Sequence, residues 1–116
     1  MQNQIKVNSI IFHTKNLELI KSFYIDIFNF QVGTFEKDGI MLTDESQSYV
    51  NFKVGEVLLC FEKHDHLTDS ATVVLNVDNF SEIQRKLKDR HIDFKGDGAN
   101  WIKFKDPDMR QVIVEP

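Results

Sequence analysis

The side chains able to do chemistry are few and lie far apart in the chain. His13 lies next to the end of the run SIIFHT and alternates in phase with Ser9 and Ile11. Such a histidine can hydrogen-bond a ligand or act as a base near neutral pH, or it can simply face water where its strand ends. Glu62 and Glu115 close the apolar runs VLLCFE and VIVE; each is a ligand or base at a strand end, or a solvated carboxylate. His64 and His66 flank Asp65 in a polar stretch. Alternate histidines can take up a metal, but in this setting they read as a solvated loop. His91 falls at the end of a helical pattern, where its positive form suits the helix dipole. Cys60 lies inside an apolar run with no flanking cation and reads as an inert buried thiol. Nothing resembles a Ser-His-Asp triad or a phosphate-cradling glycine loop; Gly96-Asp97-Gly98 reads as a turn.

Short strands and two helices must position these residues. Residues 7–14, VNSIIFHT, suit a strand covered on both faces. Asn16 then offers an N-cap, and Leu17, Ile20, Phe23, Tyr24, Ile27 and Phe28 recur at helical spacing, which predicts a helix ending near Asn29. FQVGTFE over 30–36 reads as a strand, Lys37-Asp38-Gly39 as a turn and IMLT as a short strand. Residues 49–54 and 57–62 read as a hairpin about Gly55-Glu56, followed by a polar linker over 63–70. Then the order restarts. TVVLNV over 72–77 reads as a buried strand, and Asp78 or Asn79 caps a helix carrying Phe80, Ile83, Leu87 and Arg90. WIKFK over 101–105, a turn at Asp106-Pro107-Asp108 and a strand over 112–115 complete the chain.

The second half repeats the first. At an offset of 63, Ile10, Ile11 and Phe12 fall on Val73, Val74 and Leu75, His13 on Asn76, Asn16 on Asn79, Leu17 on Phe80 and Ile20 on Ile83. Near the ends, residues 49–53 fall on 101–105, so Tyr49 matches Trp101. The expectation is one α+β domain over 1–116, made of two βαβββ units at about 7–62 and 71–116.

Composition narrows the function. A chain of 116 residues buries one core, and a net charge of -4 gives no basic footprint for nucleic acid. No apolar stretch approaches the roughly 18 residues a membrane span needs, and acidic and basic residues are interspersed, so no membrane partner is expected. The polar start, Met1-Gln2-Asn3-Gln4, argues against a signal peptide. One cysteine excludes an internal disulfide and suits a reducing cytoplasm. Ten Phe against two Tyr and one Trp are either core or the wall of a ligand cavity.

Three features carry a resemblance to a known family: the doubled βαβββ unit, the segment NLELIKSFYIDIFNFQV with its Phe23-Tyr24 pair, and the segment FKDPDMRQVIVEP with its Asp106-Pro107-Asp108 turn. Together they resemble the vicinal oxygen chelate superfamily of glyoxalases, bleomycin-resistance proteins and dioxygenases, over nearly the whole of 7–116. The family's Asp-Pro-Asp-Gly-Asn turn here carries Met109-Arg110 in place of Gly-Asn. The resemblance implies a curled mixed-sheet cup with helices on its convex side, a cavity lined by alternate strand residues, and a homodimer. In metal-bearing members it implies a His on the first strand and a Glu on the last strand of each unit. Carried over, these positions fall on Ser9, Thr72, Ile113, and Leu58 or Leu59, none of them a good ligand. No metal and no cofactor is therefore expected.

The function expected is metal-independent binding of a small planar or amphipathic molecule, as in sequestering a drug or metabolite. Ser9, His13, Thr72, Asn76, Trp101, Ile113 and Glu115 are the cavity candidates. The alternative is a metal-dependent lyase or dioxygenase with its site relocated to His13, Glu62 and Glu115. A third reading is an interaction module whose cavity is vestigial.

Overall fold

The computed structural model describes residues 4–67 and 71–116. The first unit runs β1 (Ser9–Thr14), α1 (Leu17–Phe28), β2 (Gln31–Val32), β3 (Thr34–Lys37), β4 (Ile40–Thr43), β5 (Tyr49–Val54) and β6 (Val57–Lys63). The second runs β7 (Val73–Asn76), α2 (Phe80–Asp89), β8 (Lys95–Gly96), β9 (Ile102–Lys105) and β10 (Gln111–Glu115). Their main sheets have the same strand order, β1-β6-β5-β2 and β7-β10-β9-β8, each with its first and last strands parallel.

Local chemistry sets these boundaries. The Asn16 side chain accepts the Leu19 N–H at 3.1 Å, and Asn29 ends α1 in the left-handed conformation that asparagine tolerates. The strand expected over 30–36 is broken at Gly33. This buried residue donates to the Asn51 carbonyl at 2.8 Å and accepts from the Asp44 N–H at 2.7 Å, which ends pairing with β5 and releases β3–β4 as a separate hairpin. Asp38 and Gly39 turn that hairpin at φ 53° and 77°. The second unit has no counterpart to it.

Strands β1 and β7 were expected to be covered on both faces, and they are covered on one. The helices pack over Phe12 and Thr14 of β1 and over Val73 of β7, while Ile11 and Val74 on the opposite face are 54% and 56% exposed. Their apolar character suggests two buried faces, but the helices lie on only one. The radius of gyration, 15.5 Å, exceeds the roughly 13 Å of a compact chain of this length, as a body with open sheet faces requires.

Between the units the core is continuous. Phe23 and Phe28 of α1 meet Phe104 of β9 at ring distances of 6.2 and 6.1 Å. Phe52 and Phe104 therefore belong to the core beneath the helices. A polar hub sits beside them. The Asp106 side chain accepts the N–H groups of Asp108 and Arg110 at 2.9 and 3.0 Å, closing the turn before β10. The Arg110 guanidinium pairs with Asp106 at 2.7 Å, donates to the His13 carbonyl at 2.6 Å and lies over the Phe12 ring at 4.9 Å. Tyr24 of α1 donates its hydroxyl to Asp106 at 2.8 Å. Burial, and then the Asp106 carboxylate, push this phenol far above its ordinary pKa.

Removing the Arg110 side chain would leave the Asp106 carboxylate buried with no cation, held only by two backbone N–H groups and the Tyr24 phenol. Arg110→Met is expected to cost about 3–5 kcal/mol in urea unfolding. Met109 is exposed and sits at φ 65°, where a side chain is strained. Met109→Gly is therefore expected to stabilise by about 0.5–1 kcal/mol, relief of strain outweighing the added freedom of the unfolded chain. A neutral Arg110→Met variant would contradict the hub's assignment.

Candidate functional site

Strand pairing decides which residues share the open face of each sheet. In the first unit Ser9 pairs with Leu58, Ile11 with Cys60 and His13 with Glu62. In the second, Val74 pairs with Ile113 and Asn76 with Glu115. Because Ile11 and Val74 are equivalent in the repeat, the counterpart of Ile113 is Cys60. The position expected from the sequence, Leu58 or Leu59, is displaced by the hairpin gap, and Leu59 is turned into the core.

The resemblance, corrected by the strand pairing, thus carries the family's metal positions onto Ser9, Thr72, Cys60 and Ile113. Burial, and then the carboxylates of Glu62 and Asp44, push the Cys60 thiol above its ordinary value. Two hydroxyls and an isoleucine offer an ion no good ligand, and Cys60 alone cannot hold one. These residues do not fit the family's metal.

Further along the same two strands, four residues beyond Ser9 and two beyond Cys60, the chemistry changes. His13 and Glu62 face each other there, and His64 joins them. His64 Nε2 lies 2.7 Å from Glu62 Oε1, and the His13 and His64 rings stack at 3.8 Å. One donor atom from each of the three lies within 4.8 Å of the others. His64 had read as part of a solvated loop. Instead the Thr14 carbonyl accepts its N–H at 2.9 Å, so the β1–β6 ladder continues one residue past Lys63. Alternation then puts Glu62 and His64 on one face. Glu115 is not in this group; it pairs with Asn76 on the second sheet, in the place equivalent to Glu62. His66 is exposed.

The second unit carries a different arrangement. A cavity of about 480 Å³ is lined by Ile92, Phe94 and Phe104 and by Lys95, Lys103, Lys105, Asp93 and Gln111. Lys95 stands directly across from Lys103. Like charges so placed cost stability, and they do so in a chain of net charge -4. Alternation in WIKFK and the nearby Lys95 were the sequence signals for this cluster, and they read as an ordinary solvated strand face.

Of the residues expected to line a cavity, Thr72 borders a smaller one of about 250 Å³ with Lys105 and Gln111. Asn76 borders a cleft of about 550 Å³ with Phe28, Phe30 and Val54. Ser9, Ile113 and Glu115 lie on open sheet faces, with Ser9 and Glu115 exposed. Trp101 is exposed beside the loop that Asp97 organises. The Asp97 carboxylate accepts N–H groups of Ala99, Asn100 and Trp101, which hold its pKa at about 2. Gly96 is required here, since a Cβ would meet the Trp101 carbonyl oxygen at 2.3 Å.

No family model matches the chain, and no curated protein matches it in sequence. Solved structures do match. A glyoxalase family protein of Bacillus anthracis superposes with TM-score 0.72 at 16% identity, over 98% of this chain and 97% of that one. Lactoylglutathione lyase of Agrobacterium tumefaciens superposes at 0.70 and 15% identity, over 98% and 95%. The chain has the vicinal oxygen chelate fold. The fosfomycin resistance protein FosX of Mesorhizobium loti shares this fold at TM-score 0.66 and 15% identity, over 99% of this chain and 92% of that one. Identities this low speak for the fold alone. Within it, Ser9, Cys60 and Ile113 lie on β1, β6 and β10 and Thr72 just before β7, and together they are not the side chains a metal needs.

Because its thiol is buried and shifted upward, Cys60 is expected to react with iodoacetamide at pH 8 at least about tenfold more slowly in the folded chain than in urea. The folded rate should still be rising above pH 9. A fast reaction that levels off below the ordinary thiol range would show a thiolate at this position instead.

Proposed function

We propose that the chain is a small-molecule-binding protein that takes a planar or amphipathic molecule bearing an acid group, and that it binds without a metal at the positions the family uses. The observation that supports this most is the cavity in which Ile92, Phe94 and Phe104 adjoin Lys95, Lys103 and Lys105. The apolar wall supplies affinity, at about 25 cal/mol per Å² of surface buried. Partly exposed ammonium groups each add only about 0.2–1 kcal/mol, so their role is to select the charge. Sequestration of a drug or metabolite needs this and no bond-making step.

A homodimer and a cytoplasmic setting belong to the same proposal. The open sheet faces, with Ile11 and Val74 uncovered, support a second copy as their cover. The single buried cysteine supports a reducing compartment. Among the described residues no helix is long and apolar enough to cross a membrane.

Anilinonaphthalene sulfonate, planar and anionic, is a suitable probe, since Trp101, the single tryptophan, lies two residues from Lys103 and can transfer energy to it. Saturable binding is expected, unchanged by a chelator and weakened at least about tenfold, or about 1.4 kcal/mol, in Lys103→Glu. Binding indifferent to Lys103→Glu and Lys95→Glu, or abolished by the chelator, would sink the reading. Sedimentation equilibrium is expected to give twice the chain mass.

A further inference from the structure

We propose that His13, Glu62 and His64 form a second site, for a zinc-class transition-metal ion, on the open face of the first sheet. The set is built by the backbone: His13 and Glu62 are cross-strand partners, and the ladder bond from the His64 N–H to the Thr14 carbonyl fixes the third member on the same face. Donors bound to one tetrahedral zinc at 2.0–2.1 Å lie about 3.3 Å from each other. The three donors here are already within 4.8 Å, so small side-chain rotations suffice. The stacked imidazoles fan apart, and the His64–Glu62 contact gives way to one bond from each to the ion.

Donor chemistry sets the ion class. Two imidazoles and one carboxylate suit Zn²⁺, Ni²⁺ or Cu²⁺, whereas Mg²⁺ and Ca²⁺ favour all-oxygen shells. The side chains of His64 and Glu62 are 40% and 42% exposed. Three protein donors on an open face leave at least one coordination position for water or for an oxygen of a small molecule. The equivalent pair in the second unit is Asn76 and Glu115, which brings no imidazole. One ion per chain follows.

This site lies on the first sheet and the lysine-lined cavity in the second unit, so the two proposals stand or fall separately. The test uses the whole chain without a histidine tag, stripped with a chelator and titrated with Zn²⁺ against a chromophoric competitor. One Zn²⁺ per chain is expected, with Mg²⁺ failing to displace it. His13→Ala, His64→Ala and Glu62→Gln should each weaken binding at least about tenfold, while His66→Ala and His91→Ala leave it within about twofold. Co²⁺ should give ligand-field absorption without a sulfur-to-metal band, placing Cys60 outside the shell. An unchanged urea-unfolding midpoint for each metal-free variant shows that it is folded. Absence of stoichiometric Zn²⁺ binding, its survival in both His13→Ala and His64→Ala, or its equal loss in His66→Ala would overturn the site.

Discussion

Much of this structure depends on one buried ion pair, Asp106 with Arg110. Such a pair is not stabilising by default, because desolvating two charges costs about as much as their attraction returns. Here the remaining donors and acceptors are met: Asp106 takes two backbone N–H groups and the Tyr24 hydroxyl, and Arg110 reaches the His13 carbonyl across the unit boundary. The pair thereby joins the hairpin of the second unit to α1 and β1 of the first. It also fixes the end of β1 from which the His13 side chain projects. Met109 and Arg110 stand where the family has Gly-Asn; the first is strained at positive φ, and the second provides the reach that makes the hub.

The two units show how one scaffold carries different chemistry. Their sheets have the same strand order and their helices bury equivalent residues, Leu17 with Phe80 and Ile20 with Ile83. Yet the open face of the first ends in two imidazoles and a carboxylate, and the second unit gathers three lysines around an apolar wall. Neither feature occupies the family's metal positions. The backbone conserves where side chains can meet, and it leaves open what they are.

Much of the fold was legible because its signals are local. The Asn16 cap, the helical spacing of Leu17 to Phe28 and the Asp38-Gly39 turn all depend on neighbours in sequence, and the repeat shows the same local pattern twice. What could not be read is tertiary. Alternation shows that Ile11 and Phe12 face opposite ways, but not which face the helices cover. The break at Gly33 depends on Asn51 and Asp44, and the place of His64 depends on the Thr14 carbonyl fifty residues earlier. The counterpart of Ile113 hung on a gap that only strand pairing resolves, which moved it from Leu58 or Leu59 to Cys60. Lys95 and Lys103 meet only because β8 pairs with β9.

The central claim is that the chain holds two chemically distinct places, one in each unit, and neither at the family's metal positions. A ¹H–¹⁵N correlation spectrum of the whole chain, titrated separately with Zn²⁺ and with anilinonaphthalene sulfonate, tests it most directly. Two separate footprints are expected: zinc shifting amides around His13 and 62–64, the sulfonate shifting those around 92–95 and 103–111. A single shared footprint, or either ligand centred on Ser9, Thr72 and Ile113, would contradict it.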